Sequence, residues 1–183
     1  YYKESFVWAS TKYSGLELVV RALHYDFIQT LKKLMRILPK KGQSSLRVLV
    51  KDYEVQNLSV IISSKATGVP FRETDLVILD ERGRKALMDL NSRQSLEDMI
   101  QILNSSEFGP VLHKAIPQYQ KEKYFRVLIQ ALNSYYYLQL DSLAVREKNL
   151  LLKRLLQAKL RGANLLALLR VKKSNPALDA SPY

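Results

Sequence analysis

Part of this sequence occurs twice, and the repeat constrains the fold more than any other feature. Residues 164–172 echo residues 57–65 at an offset of 107, with Asn, Leu and Lys in identical places and three apolar positions between them. A second echo, residues 19–23 against residues 128–132, follows the same order at an offset of 109. Two ordered matches predict duplicated helical units, each the size of a small domain and too long for a solenoid motif.

Apolar residues recur in steps of three and four along most of the chain, which is typical of amphipathic helices. The pattern predicts long helices over residues 16–38 and 45–66, the second ended by Gly68 and Pro70. A basic turn is predicted over 39–45, one or two helical turns over 71–79, a turn over 80–83 and a short helix over 84–90. Two further helices are predicted, one opened by a capping box at Ser95 and Asp98 and one capped by Ser105 or Ser106. A long helix then runs from Pro117 to Leu140, and a last helix, capped by Asp141 or Ser142, stops at Asn175-Pro176.

No stretch alternates apolar and polar residues as a half-buried strand would, so the predicted fold class is all-α, with repeated helical domains of about 107 residues. Long helices flank clusters of short ones in this interpretation. Residues 1–67 would be the closing helices of one unit, residues 68–175 a complete middle unit, and residues 176–183 a tail or the start of another. An array of similar helical units favours a scaffold over an enzyme.

The composition limits the kinds of protein to which this chain can belong. Of 183 residues, 47% are hydrophobic, which is enough for a core, and none is Cys, which excludes disulfides, thiol nucleophiles and Cys-ligated zinc. The longest strongly apolar stretch, residues 163–169, is far shorter than the roughly 20 residues that span a bilayer. We therefore expect a soluble or peripheral protein in a reducing compartment.

The net charge of +12 is concentrated near the end of the chain. Residues 142–173 hold nine basic side chains against a single Glu, and a field of this sign attracts nucleic acid, anionic lipid or an acidic protein. The candidate residues that face a partner or lipid are Arg146, Lys148, Lys153, Arg154, Lys159 and Arg161.

Residues able to carry catalysis do not converge in the sequence. His24 and His113 have no metal-ligating neighbours at helical spacing, and no glycine opens a phosphate-binding loop. The run Tyr135–Tyr137 could stack nucleobases, but three consecutive helical residues face different ways, so core packing of at least one is favoured. We predict no catalytic residues, no cofactor and no metal.

The repeated Asn is interpreted as structural. A buried side-chain amide left unpaired would cost about 1–3 kcal/mol, so each Asn is expected to bond a neighbouring helix or backbone segment. The residues of the predicted structural repeat motif are Asn57, Leu58, Lys65, Asn164, Leu165, Arg170 and Lys172.

At these helices the sequence resembles the C subunit of the A-type and V-type rotary ATPases, whose eukaryotic counterpart is the d subunit. That family carries a junction helix reading Asp-Ile-x-Asn-Leu-x-x-(Ile/Leu)-(Ile/Leu)-Arg-x-Lys. Residues 54–65 match its first occurrence, with Glu54 as the acidic residue, and residues 164–172 match the second. Ser63 and Arg161 depart from the pattern. The resemblance extends over most of residues 16–175.

The resemblance implies a non-catalytic central-rotor subunit, seated at the cytoplasmic face of the membrane as a peripheral protein. The resemblance implies a subunit of three helical domains that together form a socket. This socket would join the central shaft to the membrane rotor ring during proton or sodium transport. Its partners would be shaft subunits and the ring, and no nucleic acid. An alternative from a different class is a basic, all-helical nucleic-acid-binding protein, motivated by the charge alone.

Overall fold

The computed structural model describes residues 2–78, 81–146, 148 and 150–174. In these residues the chain forms α-helices and no strand, which confirms the all-α prediction. A 3₁₀ turn spans Glu73–Asp75. The helices are α1 (Lys3–Ser10), α2 (Gly15–Ile37), α3 (Lys40–Thr67), α4 (Glu81–Ser92), α5 (Leu96–Leu103), α6 (Gly109–Glu122), α7 (Arg126–Arg146) and α8 (Leu150–Ser174).

Small residues bring α1 close to α2. Ser5 and Ala9 on α1 are buried, as is Ala22 on α2, so no bulky side chain separates the two helices there. Trp8 stacks on Tyr25 with ring centroids 4.5 Å apart, which adds an aromatic contact beside the small residues.

The centre of the first part of the fold is α3, which packs against both α4 and α5. Its buried side chains follow the helical steps that the sequence shows, because one face of the helix turns towards these shorter helices. The helix ends at Gly68, which adopts a left-handed conformation (φ 70°) that glycine reaches without steric cost. The buried apolar residues of this face are Val55, Leu58, Ile61 and Ile62.

The predicted capping box of α5 is confirmed. The Ser95 hydroxyl accepts a hydrogen bond from the Asp98 backbone N–H (3.0 Å), and the Asp98 carboxylate accepts one from the Ser95 N–H (3.2 Å). These two bonds satisfy donors that a helix N-terminus otherwise leaves unpaired.

Several predicted helix ends are wrong. Helix α3 begins at Lys40, so the predicted turn over 39–45 is mostly helical. Arg82 and Gly83, predicted as a turn, lie in the first turn of α4. Pro117 lies inside α6 and does not open the next helix. Asp141 and Ser142 lie within α7 and do not cap α8.

The chain forms two compact units, one up to Ser134 and one from Tyr135 onward. In the second unit Tyr136 is buried, as predicted for at least one of the three tyrosines, and so are Leu140 and Leu156. Lys159 donates a hydrogen bond to the Tyr136 hydroxyl (3.2 Å) and lies over its ring. The repeat boundaries stay a prediction, and the predicted tail over 176–183 and the stop at Asn175-Pro176 lie outside the described residues.

Candidate functional site: the junction around Asn57 and Lys65

Asn57 joins the middle of α3 to the extended chain that precedes α4. Its side chain is only 4% exposed. The Asn57 Nδ2 donates to the carbonyl of Val77 and the Val77 N–H donates to Asn57 Oδ1, both at 2.8 Å. One side-chain amide thus satisfies both backbone groups of one residue, which fixes the position and the direction of this segment.

Lys65 binds the C-terminal end of α4, the helix that follows α3. It lies eight residues after Asn57 on α3, and its ammonium donates to the carbonyls of Asn91 (2.8 Å) and Arg93 (2.5 Å). These carbonyls lie at the C-terminal end of α4, where the last turn has no intrahelical donors and the helix dipole favours a cation. Lys65 therefore acts as a side-chain cap for α4.

Together the two residues clamp the segment 77–93 at both ends. The clamp surrounds buried apolar contacts of α3, so packing and directed hydrogen bonds restrain the same segment. Sequence reasoning selected Asn57 and Lys65 but missed their partners, because the acceptors are backbone groups that every residue carries.

A charged cluster in the 3₁₀ turn precedes the clamped segment. Arg84 on α4 donates to both carboxylate oxygens of Glu73, through Nε at 2.6 Å and Nη2 at 3.1 Å. This hydrogen-bonded guanidinium lowers the pKa of the Glu73 carboxyl. The pKa of Asp75 is also lowered, first by the hydrogen bond that the Arg72 backbone N–H donates to it (2.8 Å). No sequence motif marked either carboxylate.

The second copy of the motif has a different environment. On α8, Asn164 and Lys172 are exposed, and Leu165 is 58% exposed. Arg170 lies in the same helix, and its side chain is outside the described part of the chain. The second copy therefore presents to solvent the residue types that the first copy buries.

The predicted basic residues lie in two environments. Lys159 contacts Tyr136 as described above. The remaining five are exposed around the end of α7 and along α8: Arg146, Lys148, Lys153, Arg154 and Arg161. These side chains concentrate positive charge on the second unit, and a charge of this sign favours an acidic or anionic partner.

His24 and His113 are both exposed, and no group of three His, Asp or Glu side chains in the described chain could hold a metal ion. None of the described helices is both long enough and apolar enough to cross a membrane.

Comparison with known proteins places the chain in a family. The model of the family "ATP synthase (C/AC39) subunit" matches residues 1–183. The C subunit of the A-type ATP synthase from Methanobrevibacter smithii is 28% identical over 170 residues, which cover 90% of this chain and 44% of that protein. The corresponding protein of Pyrococcus furiosus is 22% identical over 160 residues, which cover 87% of this chain and 43% of that protein.

The chain therefore spans less than half the length of these two relatives. No solved structure matches it significantly. Because the family model covers the whole chain and the similar curated proteins share one description, this protein belongs to the ATP synthase (C/AC39) subunit family.

Proposed function

We propose that this chain acts in a rotary ATPase as a non-catalytic adaptor, which couples the central shaft to the membrane rotor ring during proton or sodium transport. The observation that carries the proposal is the family match over the whole chain. The adaptor would sit peripherally at the cytoplasmic face of the membrane, with shaft subunits on one side and the ring on the other.

The junction supports this role mechanically. An adaptor must transmit torque without absorbing it, so adjoining elements must not slide or rotate against each other. The double hydrogen bond of Asn57 and the helix cap of Lys65 oppose such motion, because both fix direction as well as distance. Helical repeats linked by clamps of this type would form a stiff coupling.

The basic surface supports a membrane-proximal position. Exposed Lys and Arg side chains near an anionic membrane surface contribute about 1 kcal/mol each to binding, and the same charges attract acidic protein surfaces. The second unit offers such a surface at Lys153, Arg154 and Arg161. The charge alone had motivated the nucleic-acid alternative, and the family match does not support that alternative.

Co-purification tests the proposal. The chain carrying an affinity tag is expressed in its natural host, and the membranes are solubilised in mild detergent. We expect shaft and ring subunits of the ATPase to elute with it in fixed ratio, identified by mass spectrometry. A chain that elutes alone would contradict the proposal, provided that the same preparation contains the intact ATPase.

Membrane fractionation tests the peripheral position. We expect the chain to sediment with membranes and to be released by alkaline carbonate, as peripheral proteins are. Retention after the carbonate wash would contradict peripheral attachment, and absence from the membrane fraction would contradict the proposed location.

A further inference from the structure

A cavity of about 550 Å³ lies in the first unit, between the end of α1, one face of α2 and the segment that precedes α4. Its wall on α2 follows the helical period, with Arg21, Tyr25, Ile28 and Lys32 three or four residues apart. The 3₁₀ turn Glu73–Asp75 contributes to the wall through its first two residues. Cavities of roughly 300–1,000 Å³ are the usual size of small-molecule sites.

The charge of the wall favours an anion. Among the described residues that line the cavity, four side chains are cationic and one is a carboxylate, that of Glu73. The Glu73 carboxylate is already bound at both oxygens by Arg84. The other three cations, Lys12, Arg21 and Lys32, therefore leave an excess of positive charge in the cavity. Neither of the two lysines forms an ion pair with a described carboxylate.

Two buried polar atoms of the lining residues make no hydrogen bond. They are Arg21 Nε and Thr74 Oγ1, and no other buried side-chain nitrogen or oxygen in the described part of the chain lacks a partner. Arg21 Nη2 lies 3.7 Å from a carboxylate oxygen of Glu17 and 3.7 Å from one of Asp75, which is too far for a hydrogen bond. A buried donor without an acceptor is unfavourable, so an oxygen supplied by a ligand would stabilise both side chains.

We propose that this cavity binds a linear anion of two or three phosphate groups. Lys32 follows Arg21 by eleven residues, which corresponds to about 16 Å along a helix axis. A phosphate chain offers charged oxygens over such a separation, and a single phosphate group does not. Rotation about side-chain bonds brings Arg21 Nε and the Thr74 hydroxyl to the ligand, because both residues line the cavity. The lysines bind further phosphate oxygens as point charges.

Aromatic rings lie beside these cations. Trp8 and Tyr25 both line the cavity and stack with ring centroids 4.5 Å apart, and Lys12 Nζ lies 5.3 Å from the centroid of the Trp8 ring. A phosphate chain is common to free polyphosphates and to nucleoside triphosphates. The aromatic wall would favour the nucleotide, whose base has a flat face that stacks on such rings.

Calorimetric titration of the purified chain with inorganic tripolyphosphate tests the site. We expect saturable binding that weakens as salt is added. Trp8 is the one tryptophan of the sequence and lines the cavity, so its fluorescence should change over the same concentration range. Absence of saturable binding at about millimolar tripolyphosphate in low salt, or binding without a change in Trp8 fluorescence, would overturn the proposal.

Other anions test the ligand class. Orthophosphate and citrate should each bind at least about tenfold more weakly than tripolyphosphate, because neither presents a chain of phosphate oxygens. Equal affinity for citrate would overturn the assignment to phosphate. ATP is titrated separately: tighter binding than tripolyphosphate identifies a nucleotide as the ligand, and weaker binding identifies a free phosphate chain.

A double lysine variant tests where the anion binds. Lys12→Gln with Lys32→Gln should weaken tripolyphosphate binding at least about tenfold, because two positive charges of the wall are removed. Lys3→Gln with Lys33→Gln is the matched control, since it removes the same charge from exposed positions of α1 and α2 outside the cavity. The control should change the affinity by less than about twofold. Equal losses in the two double variants would overturn the proposal.

Thr74→Val separates binding from folding. The substitution keeps the shape of the side chain and removes a hydroxyl that has no partner, so the urea midpoint should not fall. Tripolyphosphate should bind at least about threefold more weakly, because one donor to the phosphate chain is lost. Unchanged affinity, or a lower urea midpoint with normal binding, would overturn the proposed role of Thr74.

This inference goes beyond the proposed function and does not depend on it, since the titrations use the purified chain. If shaft and ring subunits co-purify with the chain but tripolyphosphate does not bind, the phosphate site is wrong and the adaptor role stands. If tripolyphosphate binds as expected but the chain elutes alone from membranes that contain the intact ATPase, the phosphate site stands and the adaptor role is wrong.

Discussion

At the scale of single residues, burial decides what the repeated Asn contributes. Asn57 is enclosed and makes two hydrogen bonds to Val77, whereas Asn164 lies in solvent within a copy of the same motif. An amide in water exchanges one set of hydrogen bonds for another at little net gain, but the partly buried N–H and C=O of Val77 would be left without full hydration if their partner were lost. The same residue in two copies of one motif therefore differs in its effect on stability.

The first prediction compares these two residues. Asn57→Ala in the isolated chain should lower the free energy of unfolding by about 1–3 kcal/mol, because the N–H and the C=O of Val77 lose their partners together. Asn164→Ala is the matched control and should change it by less than about 0.5 kcal/mol. Urea unfolding followed by circular dichroism measures both, and equal effects would show that the Asn57 bonds contribute nothing.

The second prediction concerns acid. Because the Arg84 guanidinium holds the pKa of Glu73 below its ordinary value of 4.5, the native state binds protons there less readily than the unfolded chain. The resulting stability is present above pH 4.5 and is lost as the pH falls through the lowered value. We expect Glu73→Gln to lower the urea midpoint at neutral pH and to have a shrinking effect below about pH 4.

Asp141→Asn, at an exposed carboxylate on α7, is the control for this prediction. The measurement is the urea midpoint of the native protein and the two variants across the acid range. If the urea midpoint of Glu73→Gln stays below that of the native protein by the same amount down to the lowest pH, the lost stability does not come from the ion pair of Glu73 and Arg84.

At the scale of helices, the sequence predicts the body of each long helix better than its ends. The apolar steps of residues 16–38 predict α2 to within one residue at either end, because their spacing follows the helical period. Burial does not follow from this spacing, since of the α2 residues only Ala22 and Leu31 are buried. The capping box at Ser95 is also correct, since it depends only on local hydrogen bonds.

The helix ends that the sequence predicts wrongly share a cause. Asp141 and Ser142 are good capping residues, yet both are exposed on α7 and the helix continues past them. Pro117 removes the hydrogen bond to the His113 carbonyl, but that side of α6 faces water, which can supply a replacement. Capping residues and Pro thus favour an end without imposing one, and the actual break between α7 and α8 has Lys148 in a left-handed conformation.

The candidate site was predictable only in part. Asn57 and Lys65 stand out because they recur with fixed spacing, and the cost of an unpaired amide predicts a bonded Asn. Their partners depend on how the chain folds back after Gly68, which local patterns do not encode. The exposure of the second copy likewise depends on which elements pack against α8, and the sequence of α8 alone does not predict it.

The third prediction compares two glycines in helices. At Gly162, in α8, an added Cβ would meet nothing within 4 Å, so Gly162→Ala should stabilise the chain by about 0.5–1 kcal/mol through the lower backbone entropy of Ala. At Gly109, an added Cβ would lie 2.6 Å from Asn104 Cα and 2.7 Å from the Leu103 carbonyl oxygen. Gly109→Ala should therefore destabilise by about 1–3 kcal/mol. Thermal unfolding measures both, and effects of the same sign would contradict the predicted contrast.

At the scale of the whole molecule, exposed leucines and positive charge coincide on the second unit. Four leucines between residues 165 and 169 of α8 face solvent, while exposed basic residues around the same helix keep its surface charged. An apolar patch of this kind with a polar border is typical of an interaction surface, because water contact with so much apolar area is unfavourable. The four leucines are Leu165, Leu166, Leu168 and Leu169.

The last prediction separates assembly from folding. The variant is a triple substitution: Leu165→Gln, Leu168→Gln and Leu169→Gln. It should change the unfolding free energy of the isolated chain by no more than about 0.5 kcal/mol for each site, because these side chains contribute to no core in the described chain. The same triple variant should be lost from the detergent-solubilised ATPase, because a subunit that packs on these leucines would have to bury polar amides against apolar side chains. Leu138→Gln with Val145→Gln, on the exposed side of α7, is the matched control and should assemble normally. Quantitative mass spectrometry of the complex measures incorporation, and a triple variant that assembles as well as its control would show that the exposed leucines of α8 contact no partner.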